Sequence, residues 1–129
     1  MTDDDLIELV RTYFAAVDRG DLDGVLATLA IDCKFTVETH GIELNGHHEL
    51  RGMYERLWNN HASMVHDQMT FVPNAAIGRI GAQFRVVNTE FDGSITYKSN
   101  CNFFDVAYGR FSRVAVYMAG ETTLDRAGA

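Results

Sequence analysis

Proline is nearly missing from this chain. Pro73 is its single occurrence in 129 residues, so helices and strands run without the ring that removes a backbone donor and breaks a ladder. Cysteine is scarce as well. Cys33 and Cys101 sit in strand-like stretches with no metal-type spacing between them, and we read them as reduced thiols, with a cross-strand disulfide as the alternative. No apolar run comes near the length that crosses a bilayer. The N-terminus, Met-Thr-Asp-Asp-Asp, lacks the basic region and apolar core of a secretory signal, so a cytoplasmic protein is expected. Positive charge is also short: 11 Lys and Arg against 18 Asp and Glu give a formal net charge of -7. That balance argues against a nucleic-acid groove or an anionic membrane surface as partner.

What is present is regular amphipathic patterning. The length fits one domain, residues 1–129, large enough to bury about two-thirds of the surface its unfolded form exposes. Leu6, Leu9, Val10, Tyr13, Phe14 and Val17 recur at three- and four-residue spacing, which predicts a helix from about Asp4 to Arg19. Thr2 with Asp5 makes a capping-box start, and Gly20 supplies the left-handed residue that closes the helix. Asp21 then caps a short second helix whose buried stripe is Leu22, Val25, Leu26 and Leu29. His40 to Gly46 reads as a loop. Leu50, Met53, Tyr54, Leu57, Trp58 and His61 follow as the stripe of a third helix.

Asp32 to Glu38 alternates, with Cys33, Phe35 and Val37 on one face. The second half is strand-like over Met64 to Val72, Ala76 to Phe91, Ile95 to Val106 and Arg110 to Met118, with Asp92-Gly93 and Tyr108-Gly109 as turns. Asp125 to Ala129 reads as a frayed end. Three helices with one strand among them, then four long strands, predict an α+β fold. In it a cone-shaped, strongly bent antiparallel sheet wraps around the three N-terminal helices. Helix 3 is expected beneath the late strands, with Trp58 against them. Ile80, Ala82, Phe84 and Val86 mark one apolar face, and Val87 and Phe91 the other. One helix layer covers one face, so the outer face is expected to meet a second copy in a symmetric homodimer.

The order of elements, the length and the phrase Tyr13-Phe-Ala-Ala-Val-Asp-Arg-Gly-Asp-Leu-Asp-Gly-Val25 together resemble the nuclear transport factor two-like superfamily. More narrowly, they are similar to its SnoaL-like and ketosteroid-isomerase-like bacterial members. In ketosteroid isomerases an aspartate moves the proton, while a tyrosine and a protonated aspartic acid hold the oxyanion. The resemblance carries that tyrosine onto Tyr13 and the second oxyanion donor onto Asn102, ahead of Phe104 and Val106. The basic aspartate falls on Val37, with Glu38 one step out of phase and so on the opposite face of the strand. Two hydrogen-bond donors are kept and the base is lost, which argues against a true ketosteroid isomerase.

The residues themselves offer another base. His66 lies on a strand, in alternation with Gln68 and Thr70, and imidazole is the side chain suited to proton transfer near neutral pH. Superfamily dehydratases resembling scytalone dehydratase use pocket histidines on strands; a solvated strand histidine is the alternative. Tyr13 either donates to a substrate carbonyl or is an ordinary buried tyrosine bonded to a neighbour. Asn100 and Asn102 share a strand face with Phe104 and either satisfy backbone groups or face a ligand. His61, Tyr54 and Trp58 from helix 3, with Phe35, Val37 and Phe84 from the strands, complete the expected wall for a flat apolar ligand. His48-Glu49 lacks the second histidine of a zinc motif, and no metal set is expected. Two functions follow. The first is cofactor-free proton transfer (isomerisation, cyclisation or dehydration) on a small apolar ring-containing or polyketide-like molecule, with Tyr13, His66 and Asn102 as the catalytic groups. The second is a non-catalytic ligand-binding or interaction module of the same fold.

Overall fold

The structure, a computed structural model, describes residues 1–120; the end expected to fray, Asp125–Ala129, lies outside them. Helix α1 spans Asp3–Asp18. Thr2 Oγ1 accepts the Asp5 N–H while Asp5 accepts the Thr2 N–H, so two of the orphan donors at the helix start are satisfied. Gly20 closes the helix at φ 68°, and Asp21 caps α2, Leu22–Thr28, by accepting the Gly24 N–H. Leu29 opens strand β1, Leu29–Val37, instead of continuing the helix.

The expected loop before α3 contains a strand, β2, Ile42–Asn45. Ile42 and Leu44 turn to the core while Glu43 and Asn45 face out, a period-two pattern too brief to stand out in the sequence. Helix α3 spans Gly46–Asn59, and strands β3, Ser63–Asn74, β4, Arg79–Thr89, β5, Ile95–Ala107, and β6, Arg110–Tyr117, follow among the described residues. The six strands form one sheet in the order β2-β1-β6-β5-β4-β3. The α+β class and the antiparallel meander of late strands stand. The sheet as a whole is mixed, because β1 pairs with β6 in parallel, Phe35 beside Val114 and Val37 beside Val116. Parallel neighbours need a long crossover, and the chain between β1 and β6 supplies it.

The helix layer is arranged differently from the expectation. Helix α1 lies against β3 and β4, and α3 lies against β1 and β2. Trp58 therefore meets helix α1 and not the late strands: its Nε1–H donates to the Val17 carbonyl at 2.9 Å, and its ring lies 5.9 Å from that of Tyr54. Between helices and sheet sits one core containing Val10, Phe14, Val25, Phe35, Met53, Ile80, Phe104 and Val114. The outer sheet face is bare, with Val65, Tyr97, Phe103 and Tyr117 exposed.

Strand β3 holds one irregularity that decides the site. Asp67 is opposite Arg85 and Thr70 opposite Gln83, so Gln68 and Met69 together face Phe84 alone. This is a β-bulge, and Gln68 takes the left-handed conformation at φ 53°. Its consequence is a change of phase. Before the bulge the even residues Met64 and His66 point inward; after it the odd residues Met69 and Phe71 pack on the core. His66 therefore does not share a face with Gln68 and Thr70, which are exposed.

Candidate functional site

A pocket opens between the helix layer and the inner sheet face. Its cavity volume is about 80 Å³, so it is a narrow slot. Its closed end is built by the two helices. Tyr13 on α1 and Tyr54 on α3 are 3% and 1% exposed, and their hydroxyl oxygens lie 2.6 Å apart. Removal from water disfavours the phenolate, so burial pushes both hydroxyls well above the ordinary tyrosine range. Two hydroxyls hold two protons and share one between them; the second proton is left to donate elsewhere. Asn102, in the middle of β5, is 3% exposed, and its Oδ1 has no partner. A buried amide oxygen left unmet costs about 1–3 kcal/mol, which makes it a place for a ligand donor.

His66 forms the side wall. Its ring is stacked on Phe14, with centroids 4.7 Å apart, and lies 5.5 Å from Phe84. Asp18, the last residue of α1, holds it from behind: Oδ1 is 2.5 Å from His66 Nδ1, and Oδ2 accepts the His66 backbone N–H at 2.8 Å. A carboxylate can only accept, so neutral His66 carries its proton on Nδ1 and keeps a lone pair on Nε2. That is the tautomer a general base needs.

A second histidine, His61, also lines the slot, buried, and sets Nδ1 against both carboxylate oxygens of Glu90, at 3.0 and 3.1 Å. Lys98, Asn100 and Met118 border the slot as well, each partly exposed. Asn100 turns its Oδ1 to the Ala119 N–H at 3.0 Å, so it satisfies a backbone group at the rim. Among the described residues, no group of three or more His, Cys, Asp or Glu is placed to hold a metal ion.

Of the residues expected at the site, Tyr13, His66, Asn102, Phe35, Tyr54, His61, Phe84 and Asn100 border this one slot. Three do not. Val37 is fully buried between β2 and β6, opposite Ile42 and beside Val116. Phe104 stands behind Tyr13, with ring centroids 5.8 Å apart, and packs on Phe111. Trp58 is turned to α1, as described above. Glu38, the out-of-phase carboxylate, accepts from Thr36 Oγ1 and Arg113 on the other side of the strand. No carboxylate therefore reaches the slot from β1.

Asp18 is the residue that sequence reasoning passed over. Its signal was present: an aspartate in the last turn of a helix sits at the negative end of the dipole, where it is unfavourable unless something holds it. Phe14, Met64 and Lys98 were also missed, Phe14 because it reads as ordinary core and Met64 and Lys98 because their facing depends on strand register.

Similarity to known proteins follows the same outline. The model of the SnoaL-like domain family matches residues 10–114. No curated protein matches the chain. Among solved structures, a provisionally named polyketide cyclase from Xanthomonas campestris pv. campestris is similar with a TM-score of 0.81 at 24% identity, covering 89% of this chain and 90% of that one. An NTF2-like protein of unknown function from Burkholderia pseudomallei gives a TM-score of 0.75 at 24% identity, over 91% of each chain. TerC, co-crystallised with polyporic acid, gives 0.76 at 14% identity, over 87% of this chain and 89% of its own. At these identities the likeness establishes a shared fold.

Proposed function

Since the chain belongs to the SnoaL-like domain family, we propose that it is a small-molecule enzyme carrying out cofactor-free proton transfer on an apolar, ring-bearing substrate of the polyketide type. The reaction is an isomerisation, cyclisation or dehydration. The observation that carries this reading is the Asp18–His66 pair, with the imidazole walled by Phe14 and Phe84 inside the slot. His66 Nε2 takes a proton from carbon next to a carbonyl, and Asp18 stabilises the imidazolium that results. The negative charge that develops on the carbonyl oxygen is met by the spare proton of the Tyr13–Tyr54 pair and by the Asn102 amide. His66 then returns its proton to a different atom of the substrate. The slot lined by aromatic rings suits a flat molecule, in keeping with neighbours named as polyketide cyclases and with one co-crystallised with polyporic acid.

The second reading is a ligand-binding module without chemistry, favoured by the buried valine at position 37. Substrate screening with the native chain and His66→Ala separates the two. The enzyme reading expects turnover that falls by about 10²–10⁴ in the variant while the fold is kept. Equal turnover in both chains refutes the assignment of the base.

A further inference from the structure

A cavity of about 150 Å³ holds one benzene-sized ring. The slot offers about 80 Å³. A ring-bearing substrate therefore enters only where some part of the wall gives way, and most of the wall is fixed. Tyr13 and Tyr54 bind each other, and His66 is held by Asp18 and stacked on Phe14. Phe84, Val86 and Val116 stand in paired strands inside the sheet. Among the described lining residues, two lie outside the helices and strands. His61 is buried and set against Glu90. Met118 is partly exposed and follows the end of β6 at Tyr117.

The ladder between β6 and β5 ends where Tyr117 faces Cys101, and side chains hold the three residues that follow. The Met118 N–H donates to Thr39 Oγ1 at 3.3 Å, the Ala119 N–H donates to Asn100 Oδ1 at 3.0 Å, and the Gly120 carbonyl lies 2.8 Å from His40 Nε2. A carbonyl can only accept, so neutral His40 carries its proton on Nε2 and takes the Thr39 hydroxyl proton on Nδ1, 2.8 Å away. Thr39 and His40 belong to the short 3₁₀ turn Glu38–His40 and Asn100 to β5, so the segment is clasped from both sides. Each of these bonds is exposed to water, which takes its place at small net cost. Methionine adds three rotatable bonds and no branch, so it changes shape easily. This stretch of wall is the one built to yield.

We propose that residues 118–120 form a latched strap in which Met118 sets the width of the slot: a ring-bearing ligand takes the place of the Met118 side chain, and the bonds to Thr39, Asn100 and His40 open to let it. This deepens the reading of the same pocket as the reaction site and rests on it. A chain that must first open binds more weakly, in proportion to the fraction already open. Thr39 and His40 lie outside the slot's lining, so changing them touches the latch and not the ligand. The probe 2-naphthol is titrated calorimetrically into the native chain, Thr39→Val/His40→Ala, Met118→Ala and the triple variant. Loss of the two latch residues is expected to tighten binding about three- to tenfold, the equivalent of an ordinary hydrogen bond no longer broken on opening. Met118→Ala is expected to bind at least as tightly as the native chain. In that background the latch changes are expected to add nothing, because the side chain they hold in place is gone. Met118→Val replaces Met118→Ala if the latter does not fold. Unchanged or weaker binding by Thr39→Val/His40→Ala, the same gain in the Met118→Ala chain, or no binding of 2-naphthol to any of these chains overturns the proposal. Latch-dependent binding together with turnover indifferent to His66 removes the proton-transfer reading and leaves this one in place; latch-independent binding with His66-dependent turnover does the reverse.

Discussion

Replacing Asp18 by asparagine isolates the carboxylate's effect on His66 with almost no change of shape. Asp18 accepts twice from one residue, from His66 Nδ1–H and from the His66 backbone N–H. An amide has one acceptor oxygen and one NH₂. If the oxygen keeps the backbone N–H, the NH₂ faces Nδ1, which must then become the acceptor, and the imidazole proton moves to Nε2. The lone pair that makes His66 a base is lost from the slot. By analogy with the same change behind a triad histidine, the expected fall in kcat is up to about 10⁴. Both hydrogen bonds survive as neutral ones, and loss of the charge assistance should cost about 1 kcal/mol of stability. The His66 side chain is 10% exposed and that of Asp18 22%, so water makes up little of the difference. At about 4 °C per kcal/mol for a chain of this size, the melting temperature should drop by about 4 °C. Nitrogen NMR of the imidazole reads the tautomer without a substrate: the native chain should show the proton on Nδ1 and Asp18→Asn should show it on Nε2. A native chain protonated on Nε2 at neutral pH, or a variant with an unaltered spectrum, would refute the reasoning.

Three further outcomes are expected. Tyr13 and Tyr54 have their hydroxyls pushed upward by burial, so the folded chain holds those protons more tightly than the unfolded one. Stability is then complete below the ordinary tyrosine value of about 10 and is lost as pH rises above it. Two of the five tyrosines should ionise only with unfolding when near-ultraviolet absorbance and circular dichroism are followed together, and separate ionisation in a still-folded chain would contradict this. Tyr13→Phe leaves the Tyr54 hydroxyl buried without its partner and should destabilise by about 1–3 kcal/mol in urea, while an unchanged midpoint would argue that the pair is solvated. Finally, we propose that the bare outer face, with Tyr97 and Phe103 exposed, meets a second copy of the chain. Light scattering should then give twice 14.4 kDa, and Phe103→Asp should return the single-chain mass; a single-chain mass for the native protein removes the dimer.

Local features were legible in the sequence where the signal is local. The cap made by Thr2 and Asp5, the stop at Gly20 and the stripe of α3 each depend on residues within a turn or two; the first two are present, and the stripe runs to Trp58, with His61 lying just past the end of the helix at Asn59. Strand β2 was hidden because four residues carry too little alternation to outweigh the glycines on either side. The parallel pairing of β1 with β6 has no sequence signature, since its partners are some eighty positions apart. The slot was partly legible. Tyr13 and Asn102 came from the resemblance, and His66 from its chemistry. The partner of His66 lies 48 positions away. Its facing was read through the wrong neighbours, because nothing in Gln68, a residue with a side chain and no turn preference of glycine's kind, announces a left-handed residue.

That bulge divides β3 into two halves with separate duties, joined out of step by a single residue. The half before it serves the slot through Met64 and His66, and the half after it serves the core through Met69 and Phe71. Straightening β3 with Gln68 kept in it would force one alternation through both halves, and only one of them could then keep its duty. If the core half holds, Val65 and Asp67 turn into the slot and His66 turns to solvent; if the slot half holds, the core loses Met69 and Phe71 to water. The proposed chemistry and the packing of this strand thus hang on the left-handed backbone that absorbs Gln68 as an extra residue, whereas deleting Gln68 would set Asp67 beside Met69 and leave both halves facing as they do.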